Sequence, residues 1–154
     1  DSSTSRGLGD VYKRQDMNKL KRASILILLV IIGFVLIDCS MQKVAERHEG
    51  YTEANLWAYY LYTDSDIRHA PRASEKYHFT FTAEDGTQPR DSSIVYGPGA
   101  DITVIRNYLT SLGYASVKRE GLLESWQRKG ENTPYFVITR DPQTRTLTLT
   151  RSSF

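Results

Sequence analysis

The chain has 154 residues, a quarter of them charged, with 20 basic side chains against 18 acidic ones. The basic excess lies before the main hydrophobic segment, because residues 38–154 carry 14 basic and 15 acidic side chains. A nearly neutral domain offers no electrostatic reason to bind nucleic acid. The single cysteine, Cys39, excludes an intramolecular disulfide.

Residues 1–16 are expected to be a disordered tail that is foreign to the native protein. Residues 5–15 resemble, at eleven consecutive positions, the translation of a transposase-based sequencing adapter. Segments of this kind are set aside before the fold is considered. Met17 is therefore the expected initiator, and residues 17–41 are the predicted targeting segment.

The targeting segment has a basic start, Lys19, Lys21 and Arg22, followed by thirteen residues without a polar side chain, from Ile25 to Ile37. Thirteen residues match the apolar part of a signal peptide and are short for a membrane crossing, which needs about 20. Basic residues before the apolar run place the N-terminus inside. The sequence thus predicts attachment to a bacterial cytoplasmic membrane through Ile25 to Ile37, with the following domain in the periplasm or outside the cell.

Three fates of this segment are considered: cleavage, lipidation at Cys39, and retention as a single-pass anchor. Cleavage is disfavoured because residues 38–41 offer no suitable pair of small side chains. Residues 36–39, ending in Asp38 and Cys39, resemble a bacterial lipobox, but Asp38 occupies a position where Gly, Ala or Ser is expected. Retention as an uncleaved anchor is the favoured hypothesis.

Residues 42–50 are predicted to be a short linker in which Gly50 ends the anchor helix, and residues 51–154 are the predicted exported domain. The domain begins with an aromatic segment, residues 51–62. Its pattern allows either a helix opened by Thr52 or a strand from Trp57. Residues 64–69 then predict a short capped helical turn.

The rest of the domain predicts strands around one helix. Strict alternation marks residues 77–82 as a strand paired with residues 93–96. Asp101 caps a helix with apolar residues at helical spacing, and Gly113 follows it. Further strands are predicted at 115–118 and 124–129, and a hairpin joins 134–140 to 144–151. The predicted fold is α+β, a small antiparallel sheet of four to six strands with one main packing helix, preceded by a single N-terminal hydrophobic helix.

No motif predicts a metal or a cofactor. Gly97 and Gly99 precede a helix, but Ile102 occupies the place of the third glycine in a dinucleotide fingerprint. Residues 64–66 begin like a calcium loop, yet His69 stands where that loop requires glycine. The three histidines, at positions 48, 69 and 78, lack the spacing of paired metal ligands.

Catalytic residues are not predicted either. Ser65 and His69 are four residues apart, but Ser and Asp at this position are typical of a helix N-terminus. His78 lies on the polar face of a predicted strand, where it could line a binding surface. A periplasmic hydrolase or small-ligand-binding protein using His69 or His78 is the alternative hypothesis.

The leading hypothesis is a non-enzymatic envelope protein that recognises a protein partner, as an accessory or an immunity-type inhibitor. The candidate binding residues are Trp57, Tyr59, Tyr60, Tyr62 and His78. The aromatic segment can lie at the lipid headgroups, form a partner-binding patch, or belong to the core. Arg140, Arg145 and Arg151 can meet an acidic partner, or can be charges that protect a sheet edge.

Overall fold

The computed structural model describes residues 5–47 and 49–154, with side chains from Lys19 onward. His48 and the first four residues of the expected foreign tail lie outside the described residues. The chain divides into two compact units, Asp1–Ser40 and Met41–Phe154.

The first helix, α1, runs over Ser5–Ala45. Within it, Lys19–Ala45 is long and apolar enough to cross a membrane, with a mean hydropathy of 2.7 and exposed side chains throughout its most apolar window. This segment is compatible with a single-pass anchor or a signal sequence. The helix ends at Ala45 and does not reach Gly50. It also covers residues 5–16 of the expected foreign tail, and the disorder expected there stays a prediction.

The second unit is built on one six-stranded antiparallel sheet with the strand order β1-β2-β6-β5-β4-β3. The strands are β1 Tyr77–Thr82, β2 Arg90–Tyr96, β3 Ala115–Glu120, β4 Leu123–Gln127, β5 Tyr135–Asp141 and β6 Thr146–Ser153. Every strand predicted from the sequence is present, and the predicted α+β class is confirmed. The two edges of the sheet are β1 and β3.

Three helices complete this unit: α2 Leu56–Tyr62, α3 Ser65–Arg68 and α4 Ile102–Ser111. The aromatic segment therefore forms a helix, but Asn55 caps it and Thr52 does not. Asp101 caps α4 through a hydrogen bond from the Thr103 amide, as predicted. Gly113 follows α4 with a φ of +84°, in the left-handed region that glycine tolerates best.

The core lies between the helices and one face of the sheet. Phe79, Ile94, Leu149 and Ile138 are register partners on four adjacent strands, and all four are fully buried. The helices add five buried side chains to the same core, Ala58, Tyr62, Ile67, Ile105 and Leu109. On the opposite face, hydroxyl side chains such as Thr80 and Thr150 are partly exposed, as is common for an antiparallel sheet with one solvated face.

The prediction that Arg140, Arg145 and Arg151 protect a sheet edge is wrong. Because β2 pairs with β6, the hairpin of β5 and β6 lies in the interior of the sheet. Arg151 instead binds Asp64 and Asp66 at the start of α3, with nitrogen–oxygen distances of 2.9 and 3.3 Å. The edge strand β3 carries its own charges, including Lys118 and Arg119.

Candidate functional site

The structure divides the aromatic segment into a buried part and an exposed part. Tyr51 and Tyr62 belong to the core, and Tyr59 packs partly against it. The Tyr51 hydroxyl lies 2.8 Å from Thr63 Oγ1, and burial raises the pKa of this tyrosine. Trp57 and Tyr60 are 55% and 62% exposed. Two of the four predicted aromatic binding residues are therefore surface groups, while Tyr62 is core and Tyr59 is intermediate.

Leu56 and Leu61 flank the two exposed aromatic residues and are themselves 62% and 44% exposed. We call Leu56, Trp57, Tyr60 and Leu61 the α2 outer face. Their spacing places them on one side of α2, while Ala58 and Tyr62 face the core on the other. The four side chains line a shallow recess of about 390 Å³. Helix α2 is thus apolar on both sides, although it has only seven residues.

Polar groups border this apolar surface. The Arg68 guanidinium lies 5.5 Å from the Tyr60 ring centre, and Tyr59 meets Tyr60 edge-on at 5.2 Å. Nearby, Arg72 Nη2 binds Glu53 Oε1 at 2.7 Å. An apolar centre of Trp, Tyr and Leu with a charged rim is the usual composition of a protein-binding surface.

A second recess lies between the end of α1 and the start of α2. It has a volume of about 700 Å³, and its lining includes Val44, Arg47, Gly50 and Trp57. Gly50 has a φ of +71° and lies so close to β1 that an added Cβ would be 2.4 Å from His78 Cδ2. Only glycine fits here, and this close contact holds the chain that leaves α1 against the sheet.

His78 and His69 occupy separate structural settings. His78 is partly buried beside Gly50, and this burial lowers its pKa, so the imidazole is neutral near pH 7. His69 is exposed, and its Nδ1 lies 2.7 Å from the Ser65 carbonyl oxygen. The ring nitrogen is therefore engaged by the backbone and not by the Ser65 hydroxyl. Asp64 caps α3 by accepting a hydrogen bond from the Asp66 amide at 2.9 Å, as the capping interpretation predicted.

In the part of the chain that the structure describes, no group of three His, Cys, Asp or Glu side chains is placed to hold a metal ion. Cys39 is an exposed free thiol within α1. Its lipidation stays a prediction, as does the role of His78 in binding.

Sequence reasoning missed a buried carboxylate. The apolar row of Phe79, Ile94, Leu149 and Ile138 continues into Glu124 on β4, which is only 6% exposed. Arg106 from α4 binds both carboxylate oxygens of Glu124, and Arg140 Nη2 lies 3.1 Å from Oε1. The hydrogen bonds from Arg106 lower the pKa of Glu124 more than burial raises it, and the positive charges around it lower it further. Alternation with the buried Trp126 was the sequence signal for this inward glutamate.

A second missed feature is a cleft between the loop before α4 and the β5–β6 hairpin. It has a volume of about 310 Å³, with Ile102, Leu122 and Leu147 as apolar lining and Arg140 and Arg145 as basic lining. We call it the hairpin cleft. Its parts come from three distant segments of the chain, so no local pattern could predict it.

No family model matches this chain, and neither does any curated protein or solved structure. The site must therefore be interpreted from its own chemistry. The described part of the chain offers an exposed apolar helix face, an open basic cleft and a buried, ion-paired glutamate that links α4 to the sheet. The first two can bind a ligand, whereas the charges of the third are already paired inside the fold.

Proposed function

We propose that this protein is a non-enzymatic domain anchored in a bacterial cytoplasmic membrane, where it binds a protein partner outside the cytoplasm through the α2 outer face. The observation that carries the proposal is the group of four exposed apolar side chains around one recess. They lie outside the core, to which α2 contributes Ala58 and Tyr62. Exposed apolar groups gathered in this way are typical of interaction sites.

The anchor part of the proposal is supported by the apolar helix and by the continuity of α1. Lys19, Lys21 and Arg22 precede the apolar run, which favours an N-terminus inside the cell. The helix continues without a break to Ala45, and Ala45 is fully buried in the domain's core. A retained helix would therefore join the membrane segment directly to the folded domain.

Chain length limits how far the α2 outer face can lie from the membrane. Val44 lies seven positions after Ile37, the end of the apolar run, and even a fully extended chain over those seven steps spans only about 25 Å. Val44 and Trp57 line the same recess within the domain. A partner bound at Trp57 would therefore be a membrane protein or a protein close to the membrane surface.

The surroundings of the α2 outer face favour a protein over the lipid surface itself. The segment between α1 and α2, residues 46–55, carries Glu46 and Glu49 besides Arg47, and its Glu53 is paired with Arg72. This segment therefore has no excess of basic groups that would attract an anionic bilayer. The four side chains also line a recess, which suits a protruding side chain of a partner. Arg68 against Tyr60 adds the Arg and Tyr pairing that protein interfaces favour.

The test is photo-crosslinking of the full-length protein in membranes of the source organism. A benzophenone amino acid would replace Tyr60 on the α2 outer face, or Thr110 on the exposed side of α4 as a matched control. We expect one stoichiometric protein crosslinked from position 60 and not from position 110, lost when Trp57→Ser is added. The purified partner should then bind the full-length protein in nanodiscs, and bind its Trp57→Ser form at least tenfold more weakly.

Crosslinking of position 60 to lipid alone would overturn the proposal and assign the α2 outer face to the membrane. Equal crosslinking from both positions would also contradict it, because the contact would then be non-specific. Intact mass of the purified protein decides the mode of attachment, since a diacylglycerol adduct on Cys39 would replace the uncleaved anchor with a lipid anchor.

A further inference from the structure

The hairpin cleft combines an apolar lining with guanidinium groups. Ile102 comes from the start of α4, Leu122 from the turn between β3 and β4, and Leu147 from β6. Arg140 and Arg145 lie at the hairpin end of the same cleft. A volume of about 310 Å³ is at the lower end of ligand pockets, so an occupant would be small or would be one residue of a longer chain.

The two arginines are not equivalent. Arg140 Nη2 already binds the buried Glu124, whose charge is also paired with Arg106. Arg145 makes no ion pair with any described residue. The guanidinium of Arg145 is therefore not ion-paired, whereas that of Arg140 is already paired with Glu124.

The one acidic group in the lining, Asp141, is engaged by its own turn. Its Oδ2 accepts a hydrogen bond from Thr144 Oγ1 at 2.8 Å, and its Oδ1 accepts one from the Gln143 amide at 2.8 Å. These hydrogen bonds lower the pKa of Asp141 and keep it charged, yet it forms no ion pair with Arg145. The negative charge of Asp141 nevertheless reduces the positive potential of the cleft. A monoanion fits the electrostatics better than a doubly charged phosphate.

The backbone of Arg145 adds an independent observation. Its φ is +56°, and Arg145 is the only residue other than glycine with a positive φ in the described chain. A glycine would adopt this conformation without strain. Strained backbone of this kind is found preferentially where a side chain has a task that outweighs the strain.

We infer that the hairpin cleft binds an organic carboxylate, with the carboxylate on Arg145 and Arg140 and an apolar group of leucine size on Ile102, Leu122 and Leu147. A guanidinium binds a carboxylate through two parallel hydrogen bonds, which the ammonium group of lysine cannot form, so arginine suits a carboxylate site. The carboxylate can belong to a free branched-chain acid or to the C-terminal residue of a peptide. This inference does not depend on the α2 outer face, because the two sites share no residue.

The test uses the full-length protein in nanodiscs of zwitterionic lipid and four probes. These are 4-methylpentanoate, its neutral amide 4-methylpentanamide, the peptide acetyl-Gly-Gly-Leu as the free acid, and the same peptide as the C-terminal amide. Binding is followed by calorimetry and by the methyl NMR signals of Leu122 and Leu147. We expect at least one acid to bind at least tenfold more tightly than its amide, with shifts of both leucine signals. The acid with the higher affinity identifies the source of the carboxylate.

Two variants separate a binding role of Arg145 from a structural one. Arg145→Gly relieves the strained backbone, so the thermal midpoint should rise while the affinity for the acid falls at least tenfold. Lys129→Gln removes an exposed positive charge outside the lining of the cleft and should leave the affinity unchanged within a factor of two. Equal binding of acids and amides, no binding of either acid, or unchanged affinity in Arg145→Gly would each overturn the inference.

Discussion

Helices α2 and α4 pack against the same core but differ on their outer sides. The inner side of α4 contributes Ile105 and Leu109, and its outer side is mostly polar, with exposed residues such as Thr103, Asn107 and Thr110. The α2 outer face consists of Leu56, Trp57, Tyr60 and Leu61. The pattern of α4 is that of a helix whose sequence serves folding and solubility.

The proposed function accounts for this difference between the two helices. Apolar side chains on the outer side of α4 would be exposed to water and would add nothing to the core, and most residues on that side are polar. The α2 outer face retains large apolar groups in the same unit, near the segment that follows α1. The following predictions test the contrast, beginning with the side chains that hold each helix in the core.

The largest effect is expected for the inner side chains of both helices. Ile105→Ala in α4 and Tyr62→Ala in α2 each remove a buried side chain and leave a cavity, so each should lower the free energy of unfolding by about 2–5 kcal/mol. Urea unfolding of the full-length protein in non-ionic detergent, followed by tryptophan fluorescence, measures this. If Tyr62→Ala lowered the free energy of unfolding by less than about 1 kcal/mol, α2 would contribute little to the core, and the comparison of α2 with α4 would no longer hold.

The next effect concerns the ion pair that links α4 to the sheet. Glu124→Gln removes the charge between Arg106 and Arg140 and should cost about 1–3 kcal/mol. Because the pKa of Glu124 is lowered in the fold, its contribution is present above the ordinary value of 4.5 and is lost as the pH falls through the folded pKa. The wild type should therefore lose more stability than Glu124→Gln does as the pH falls below 4.5.

The exposed Glu120→Gln on the edge strand is the matched control for this experiment. It should follow the pH profile of the wild type, because its carboxylate is 65% exposed. Parallel profiles for the wild type and Glu124→Gln would contradict the assignment of the acid sensitivity to this ion pair.

A smaller effect is expected at the helix caps. Asp101→Ala removes the hydrogen bond at 2.8 Å to the Thr103 amide and should cost about 1 kcal/mol. Asn55→Ala removes a longer bond of 3.3 Å to the Ala58 amide and should cost about half as much. The thermal midpoints of the two variants measure the difference. A larger loss of stability for Asn55→Ala than for Asp101→Ala would mean that α2 depends more on its N-terminal cap than on packing.

The smallest effect on stability is expected on the α2 outer face, where the effect on binding is expected to be largest. Trp57→Ser and Tyr60→Ser should change the free energy of unfolding by no more than about 0.5 kcal/mol, since both side chains are more than half exposed. Urea unfolding, as for Tyr62→Ala, measures the free energy of unfolding of both variants. For Trp57→Ser, which removes one of the two tryptophans, unfolding is followed by circular dichroism of the tyrosines. Severe unfolding of either variant would assign these residues to the core and remove the basis of the proposed function.

The sequence predicted the regular elements well because their signals are local. Alternation in residues 77–82 and the apolar spacing after Asp101 each depend on a few neighbouring residues, and both elements were confirmed. The aromatic segment was ambiguous because seven helical residues are too few to establish a period, and both sides of α2 are apolar. Only the packing of Ala58 and Tyr62 decides between helix and strand.

The features that join distant segments could not be predicted in the same way. Glu124 meets Arg106 and Arg140 only after α4 has packed on a sheet whose order places β5 next to β4. The interior position of the last hairpin follows from the pairing of β2 with β6, which spans more than 50 residues of chain. No spacing within either strand records that choice of partner.

The contact of Tyr51 with β1 has a mechanical consequence. The Tyr51 amide donates to the Phe79 carbonyl at 2.8 Å, and the Phe79 amide donates to the Tyr51 carbonyl at 2.7 Å. Any tension applied through α1 reaches these two bonds and the packing of Met41 and Ala45 before it reaches the six-stranded sheet. Two hydrogen bonds are fewer than any strand pairing in the sheet contains, so tension would break this connection while the sheet stayed intact.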